Sequence, residues 1–193
     1  MDALALKGSE TALVLIDLQR SVTSMETKPY PASKVIENAA KLINFAHSNG
    51  IKVFPVRVIR DAETSLRVAA DNSSPFRLSS QIQGDPFAFD PSLPLRPDDQ
   101  VITKRQWGAF YGTDLELSLR RRGINTIILA GIATLYGVES TARFAYEMGF
   151  NQIFAEDAMS DISEETHRIS VEYVLKRIGR VRKTSEILDS SVK

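Results

Sequence analysis

The sequence contains no cysteine. That single absence excludes disulfides, thiolate metal ligands and a cysteine nucleophile together. Histidine is nearly absent too: His47 and His167 are the only two, which argues against a multi-histidine metal site. Net charge is missing, since 24 Lys+Arg stand against 24 Asp+Glu. No overall field therefore draws the chain to nucleic acid or to a membrane surface. No stretch approaches membrane-spanning length, and the opening MDALALKGSE holds no long apolar segment of the secretory kind. The expectation is a cytoplasmic protein with no metal, no cofactor, no nucleic-acid partner and no membrane partner.

What is present is an ordinary globular composition, 43% hydrophobic and 25% charged over 193 residues. We expect a single domain over residues 1–193, large enough to bury a sizeable core without staples. Thr11 to Ile16 (TALVLI) is a short apolar run ending at Asp17 and predicts a strand buried on both faces. Residues 33–49 follow a helical period through Val35, Ala39, Leu42 and Ala46, with Ser33 as N-cap and Gly50 as stop. Ile51 to Ile59 predicts a second strand, in which Pro55 favours an edge or a bulge. The run Gln100 to Thr103, the most apolar run Thr126 to Ala130, Gln152 to Ala155 and Arg180 to Arg182 predict four more strands. Helices are expected over 113–122, 138–148 and 163–178. Between residues 60 and 99 the rhythm breaks, and Pro75, Pro86, Pro91, Pro94 and Pro97 cluster there. A connection this long is a flap, an insertion or an irregular surface crossover.

Strands alternating with helices imply an α/β protein: a three-layer α/β/α sandwich on a six-stranded parallel sheet of order 3-2-1-4-5-6. In such sheets ligands bind beyond the carboxyl ends of the strands, where the order reverses. That places Asp17, after strand 1, beside the loop Gly131-Ile-Ala-Thr-Leu-Tyr-Gly137 after strand 4. Neither Gly131-x5-Gly137 nor Gly108-x3-Gly112 is a G-x-G-x-x-G, neither follows the first strand, and no G-x4-G-K-[ST] occurs. Dinucleotide and P-loop chemistry are therefore not indicated.

Three segments, VLIDLQ (14–19), KRQWGAFYGTDL (104–115) and LAGIATLYGVESTARFAYEMGF (129–150), together resemble the isochorismatase-like hydrolase family. The resemblance runs from about Ala12 to Asp161 and implies the same six-stranded fold. Most members hydrolyse amides with an Asp, a Lys and a Cys, and the resemblance carries these to Asp17, Lys104 and Gly137. It also implies a non-proline cis peptide at Ile132–Ala133. Glycine has no nucleophilic atom, so the thioester route is closed. The family's true isochorismatases also carry glycine there. They resemble acid catalysts: a carboxylic acid protonates a vinyl-ether carbon, and water captures the cation.

On that reading Asp17 is a general acid/base, Lys104 steers substrate carboxylates, and Trp107, Phe110, Ala133, Thr134 and Tyr136 bind a small-molecule substrate. Strands 3 and 1 lie roughly 10 Å apart, so the loop after Thr103 is expected to bend inward, with Gly108 and Gly112 permitting it. Arg67, Arg77, Gln81 and Gln83 are further candidates for substrate carboxylates. Metal-binding amidases of the family carry Asp-x-His after strand 2, where this chain has Arg60-Asp61-Ala62. A homo-oligomer, dimer or higher, is implied. The alternative is a retired family member that keeps its pocket for binding or serves in assembly.

Overall fold

A computed structural model of the chain describes residues 4–60, 63, 68–71, 82 and 84–193. Arg67, Arg77, Gln81, Gln83, Pro75 and much of the expected flap lie outside the described residues. Among those described, six parallel strands form one sheet: β1 (Thr11–Ile16), β2 (Lys52–Val58), β3 (Ile102–Lys104), β4 (Thr126–Ile132), β5 (Asn151–Ser160) and β6 (Arg180–Arg182). Their spatial order is β3-β2-β1-β4-β5-β6, the expected doubly wound arrangement. A separate two-residue pairing, Ala5–Leu6 with Ser191–Val192, ties the chain ends together.

The main helices among the described residues are α1 (Ala32–Ser48), α2 (Leu115–Arg121), α3 (Glu139–Glu147), α4 (Glu164–Ile169) and α5 (Thr184–Leu188). The β1–α1–β2 and β4–α3–β5 crossovers travel in opposite directions from the centre of the sheet. Right-handed connections therefore put α1 and α3 on opposite faces. All six residues of β1 are buried, as a strand covered on both sides requires. The α1 stripe Val35, Ile36, Ala39, Leu42, Ile43 and Ala46 is buried against the sheet. Each large aliphatic side chain contributes roughly 1.5–3 kcal/mol by leaving water. α1 begins one residue before the expected cap, with Pro31 in the capping position.

Pro55 sits in β2, which has neighbours on both sides, not on an edge strand. The ladder explains how it is accommodated. The Val56 carbonyl faces β1, where it accepts the Asp17 N–H at 3.0 Å, so Pro55, one residue away, faces the β3 side. β3 begins only at Ile102, paired with Val56. The missing donor thus falls where no strand is yet present.

β5 runs to Ser160, five residues beyond the expected end at Ala155. A register shift opposite Leu129/Gly131 interrupts its pairing with β4, and the extension carries polar residues that hide a strand from a periodicity reading. Gly131 is dictated by contact: its φ is +127°, and a Cβ there would lie 2.1 Å from the Ile16 carbonyl oxygen. Residues 86–90 lie along the chain just after β1. Arg20 N–H donates to the Ala88 carbonyl at 2.9 Å and Asp90 N–H to the Leu18 carbonyl at 3.0 Å. Among the described residues no helix is long and apolar enough to cross a membrane.

Candidate active site

The site lies at the carboxyl ends of β1, β3 and β4. Asp17 leaves β1 with φ +54°, in the left-handed region that non-glycine residues seldom adopt. The turn aims its side chain off the sheet into a cavity of about 480 Å³, a size that suits a small molecule. Asp17 is only 7% exposed and Lys104 only 2%. The Lys104 ammonium donates to Asp17 Oδ2 at 2.7 Å and to the Trp107 carbonyl at 2.6 Å. Asp17 Oδ1 is buried and has no hydrogen-bond partner among the described residues.

The expected inward bend of the loop after Thr103 is not how Lys104 arrives. Lys104 is itself the last residue of β3, paired with Val58 of β2. Its own length, with the turn of the chain at Asp17, closes the two-strand gap of ~10 Å.

Burial pushes the Asp17 carboxyl above its ordinary range, while the charge and hydrogen bond of Lys104, and the more distant charge of Arg60, pull it back without cancelling the effect. Arg60 follows β2 and lines the cavity from an exposed position; desolvation lowers its own value and the Asp17 charge raises it.

Beyond β4 the Ile132–Ala133 peptide is cis, and a π-helical turn, Thr134–Val138, leads into α3. Gly137 in this turn faces the pair. A Cβ there would lie 3.1 Å from Asp17 Oδ2 and 3.4 Å from Lys104 Nζ, but only 2.8 Å from Ile16 Cγ2. The position to which the resemblance carries a thiol thus adjoins both charged groups. Thr141 Oγ1 donates to the Gly137 carbonyl at 2.7 Å and accepts the Ala109 N–H at 3.0 Å, joining the turn to the segment after β3.

Asp17, Lys104, Trp107, Ala133, Tyr136 and Gly137 all line this one cavity. Trp107, 57% exposed, stands at its mouth, with its ring edge-on to Tyr136 at 5.0 Å. Two expected substrate contacts fall elsewhere. Phe110 is buried in the core against Phe150, with ring centroids 5.8 Å apart. Thr134 is fully buried and spends its hydroxyl on the Ser160 carbonyl at 3.0 Å. Alternation along the turn explains Thr134: the residue after Ala133 points into the protein when Ala133 faces the cavity.

The structure adds Arg60, Gln106 and an apolar wall of Val22, Met25, Val58 and Ile162. Arg60 had a signal in the sequence, since it follows the strand next to β1 at the reactive edge of the sheet. Gln19 is buried and continues the β1–β2 ladder with its side chain. Its amide oxygen accepts Val58 N–H at 2.7 Å, and its nitrogen donates to the Val58 and Phe87 carbonyls at 3.1 and 2.9 Å.

Residues 11–186 match the sequence profile of the Isochorismatase domain. The chain is 42% identical over 190 residues to the isochorismatase family protein YwoC of Bacillus subtilis (strain 168), covering 98% of each. It is 45% identical over 189 residues to the isochorismatase family protein YecD of Escherichia coli O157:H7, covering 97% of this chain and 99% of that one. An isochorismatase family protein of Burkholderia thailandensis has a similar solved structure, with a TM-score of 0.87 at 36% identity and 97% of each chain covered.

Proposed function

The chain belongs to the isochorismatase family, and from that premise we propose a hydrolase of a small carboxylated substrate, with Asp17 moving the proton and water as the only nucleophile. One observation carries the reading: a buried carboxyl, raised by its surroundings, opens on a cavity whose nucleophile position is a glycine. We accordingly read the chain as one of the members that dispense with the thiol. Lys104 and Arg60 line the cavity against Asp17 alone among the described lining residues, a balance that favours an anionic substrate. An ammonium has three donors; two are used within the protein, and the third is available to a substrate carboxylate.

The substrate class that fits is a vinyl ether with a carboxylate on its double bond. Asp17 gives its proton to the terminal CH2 carbon, and the π electrons form the new C–H bond. The ether oxygen shares its lone pair with the cationic carbon, water adds there, and its released proton restores Asp17. The hemiketal then expels the alcohol and leaves pyruvate. The bound anion raises Asp17 further and so keeps the acid form populated. On the same reading the protein is a cytoplasmic homo-oligomer, for which the exposed Trp107, Tyr111 and Phe144 offer apolar surface. The retired-enzyme alternative rests on the same glycine, and no second observation favours it.

The test is pyruvate release from isochorismate by the wild type and by Asp17→Asn. Loss of the acid is expected to lower kcat/KM by roughly 10²–10⁴-fold. Activity that survives the substitution refutes the acid role, and no turnover across vinyl ethers, amides and ureides returns the chain to the binding reading.

A further inference from the structure

Behind the cavity, the turn that carries Ala133, Tyr136 and Gly137 is held by a chain of polar side chains that the proposed reaction does not use. The Thr134 hydroxyl lies 3.0 Å from the Ser160 carbonyl and 2.9 Å from His167 Nδ1. His167, buried in α4, has its Nε2 3.2 Å from Glu156 Oε1. Glu156 also accepts from the Tyr30 hydroxyl at 3.0 Å and from the Lys183 ammonium. Lys183 donates in turn to the Tyr30 oxygen at 2.7 Å, and the Tyr30 ring meets the His167 ring edge-on at 6.2 Å. Among the described residues the imidazole thus meets Thr134, Glu156 and the Tyr30 ring, with Lys183 behind the last two. Glu164, Glu165 and Arg168 of its own helix are exposed.

Counting donors assigns the protons. A backbone carbonyl such as that of Ser160 only accepts. Burial would raise Glu156, but hydrogen bonds from His167, Lys183 and Tyr30 hold it down at about 2, so above that pH its oxygens only accept. Thr134 has one hydroxyl proton. With that proton on the Ser160 carbonyl, Thr134 needs a donor at Nδ1 while Glu156 needs one at Nε2. Every contact is made only when the ring carries both protons. When one proton is lost, Glu156 retains the other at Nε2, and Nδ1 becomes an acceptor. Thr134 then turns its proton from Ser160 to His167.

We infer that His167 is a positioning residue of this site: its second ring proton sets the direction of the Thr134 hydroxyl, and through it the setting of the Thr134–Val138 turn beside Asp17. The inference takes the cavity to be the reaction site, as proposed above, but the device exists in the ligand-free protein and is read there.

With two histidines in the chain, long-range ¹H–¹⁵N spectra resolve each ring. His167→Gln assigns one set by its loss, and cross-peaks to the Tyr30 ring assign it if that variant does not fold. As the pH is lowered, His167 is expected to pass from the Nε2–H tautomer to the doubly protonated ring. The backbone amides of Tyr136 and Val138, both bonded to the Ala133 carbonyl at 3.2 Å, are expected to shift with the same midpoint. His167→Gln loses that phase and keeps the separate titration of Asp17. A neutral ring with its proton on Nδ1, or turn amides that ignore the His167 midpoint, overturns the inference. No substrate enters the measurement, so a failed turnover assay leaves it standing, and a failed titration leaves the proposed chemistry standing.

Discussion

Replacing Gly137 by alanine adds one methyl group to the floor of the cavity, and the structure says what that methyl meets. Its carbon would lie 2.8 Å from Ile16 Cγ2, 3.1 Å from Asp17 Oδ2 and 3.4 Å from Lys104 Nζ. Carbon atoms pack comfortably at 3.5–4.0 Å, so the contact with Ile16 is short by about 0.7 Å. Ile16 is fully buried at the end of β1, between Val56 of β2 and Gly131 of β4, and has no room to withdraw. Overpacking of this kind costs about 1–3 kcal/mol, or roughly 2–4 °C in Tm for each kcal/mol in a chain of this size. The same methyl crowds the carboxyl oxygen that a substrate carbon must approach, and a displacement of ~1 Å there lowers kcat/KM about a hundredfold. Urea denaturation reads the first effect and pyruvate release the second. Ile16→Ala removes the opposing methyl, so the double variant should be more stable than the two single losses add up to. A coupling energy of about 0.5–3 kcal/mol is expected. Gly137→Ala that is as stable and active as the wild type, or a cycle without coupling, refutes the packing drawn here.

Three further outcomes follow from the same interactions. Because the folded Asp17 carboxyl holds its proton more tightly than the unfolded one, its contribution to stability is full below the unfolded value, ~3.9. That contribution, and kcat/KM with it, falls as pH rises through the folded value. Urea unfolding between pH 4 and 8 should show this slope in the wild type and not in Asp17→Asn. Glu156 has the opposite sign: held down at about 2 from 4.5, it stabilises the fold above the unfolded value. That stabilisation, on the order of 2 kcal/mol after allowing for solvent, is lost as pH falls toward 2, and Glu156→Gln should abolish the acid-side loss. Gln19→Leu strands the Val58 N–H and two carbonyls, at a cost of roughly 2–4 kcal/mol. Its signature is faster hydrogen exchange at the Val58 amide, and unchanged exchange there disproves the side-chain ladder.

Strand order and the place of the candidate site are legible in the sequence for one physical reason. A doubly wound parallel sheet buries its strands on both faces, so they read as short apolar runs such as TALVLI and TIILA, and the point where the order reverses selects Asp17. Lys104 is less legible, because the gap is bridged by side-chain length and no backbone pattern records that. Phe110 and Thr134 mislead because an aromatic or a hydroxyl beside a site reads alike whether it faces the cavity or the core. Only the rotation of each residue about its own segment separates the two cases. The second half of β5 is hidden by Glu156 and Asp157, polar residues in a strand whose pairing with β4 is interrupted. The His167 network is illegible for a similar reason: its members, Tyr30, Thr134, Glu156, His167 and Lys183, are scattered along the chain and meet only when it is folded.

Pro55 has a consequence for the molecule as a whole. β3 pairs only with Val56–Val58, so the first half of β2 is an unpaired border of the sheet on that side. Pro55 is buried there together with Val53, Phe54 and Val56, and a buried N–H without a partner costs about 1–3 kcal/mol. Proline has no N–H to strand. The residue least suited to a ladder thus removes a donor that a β3 of three residues would leave unserved.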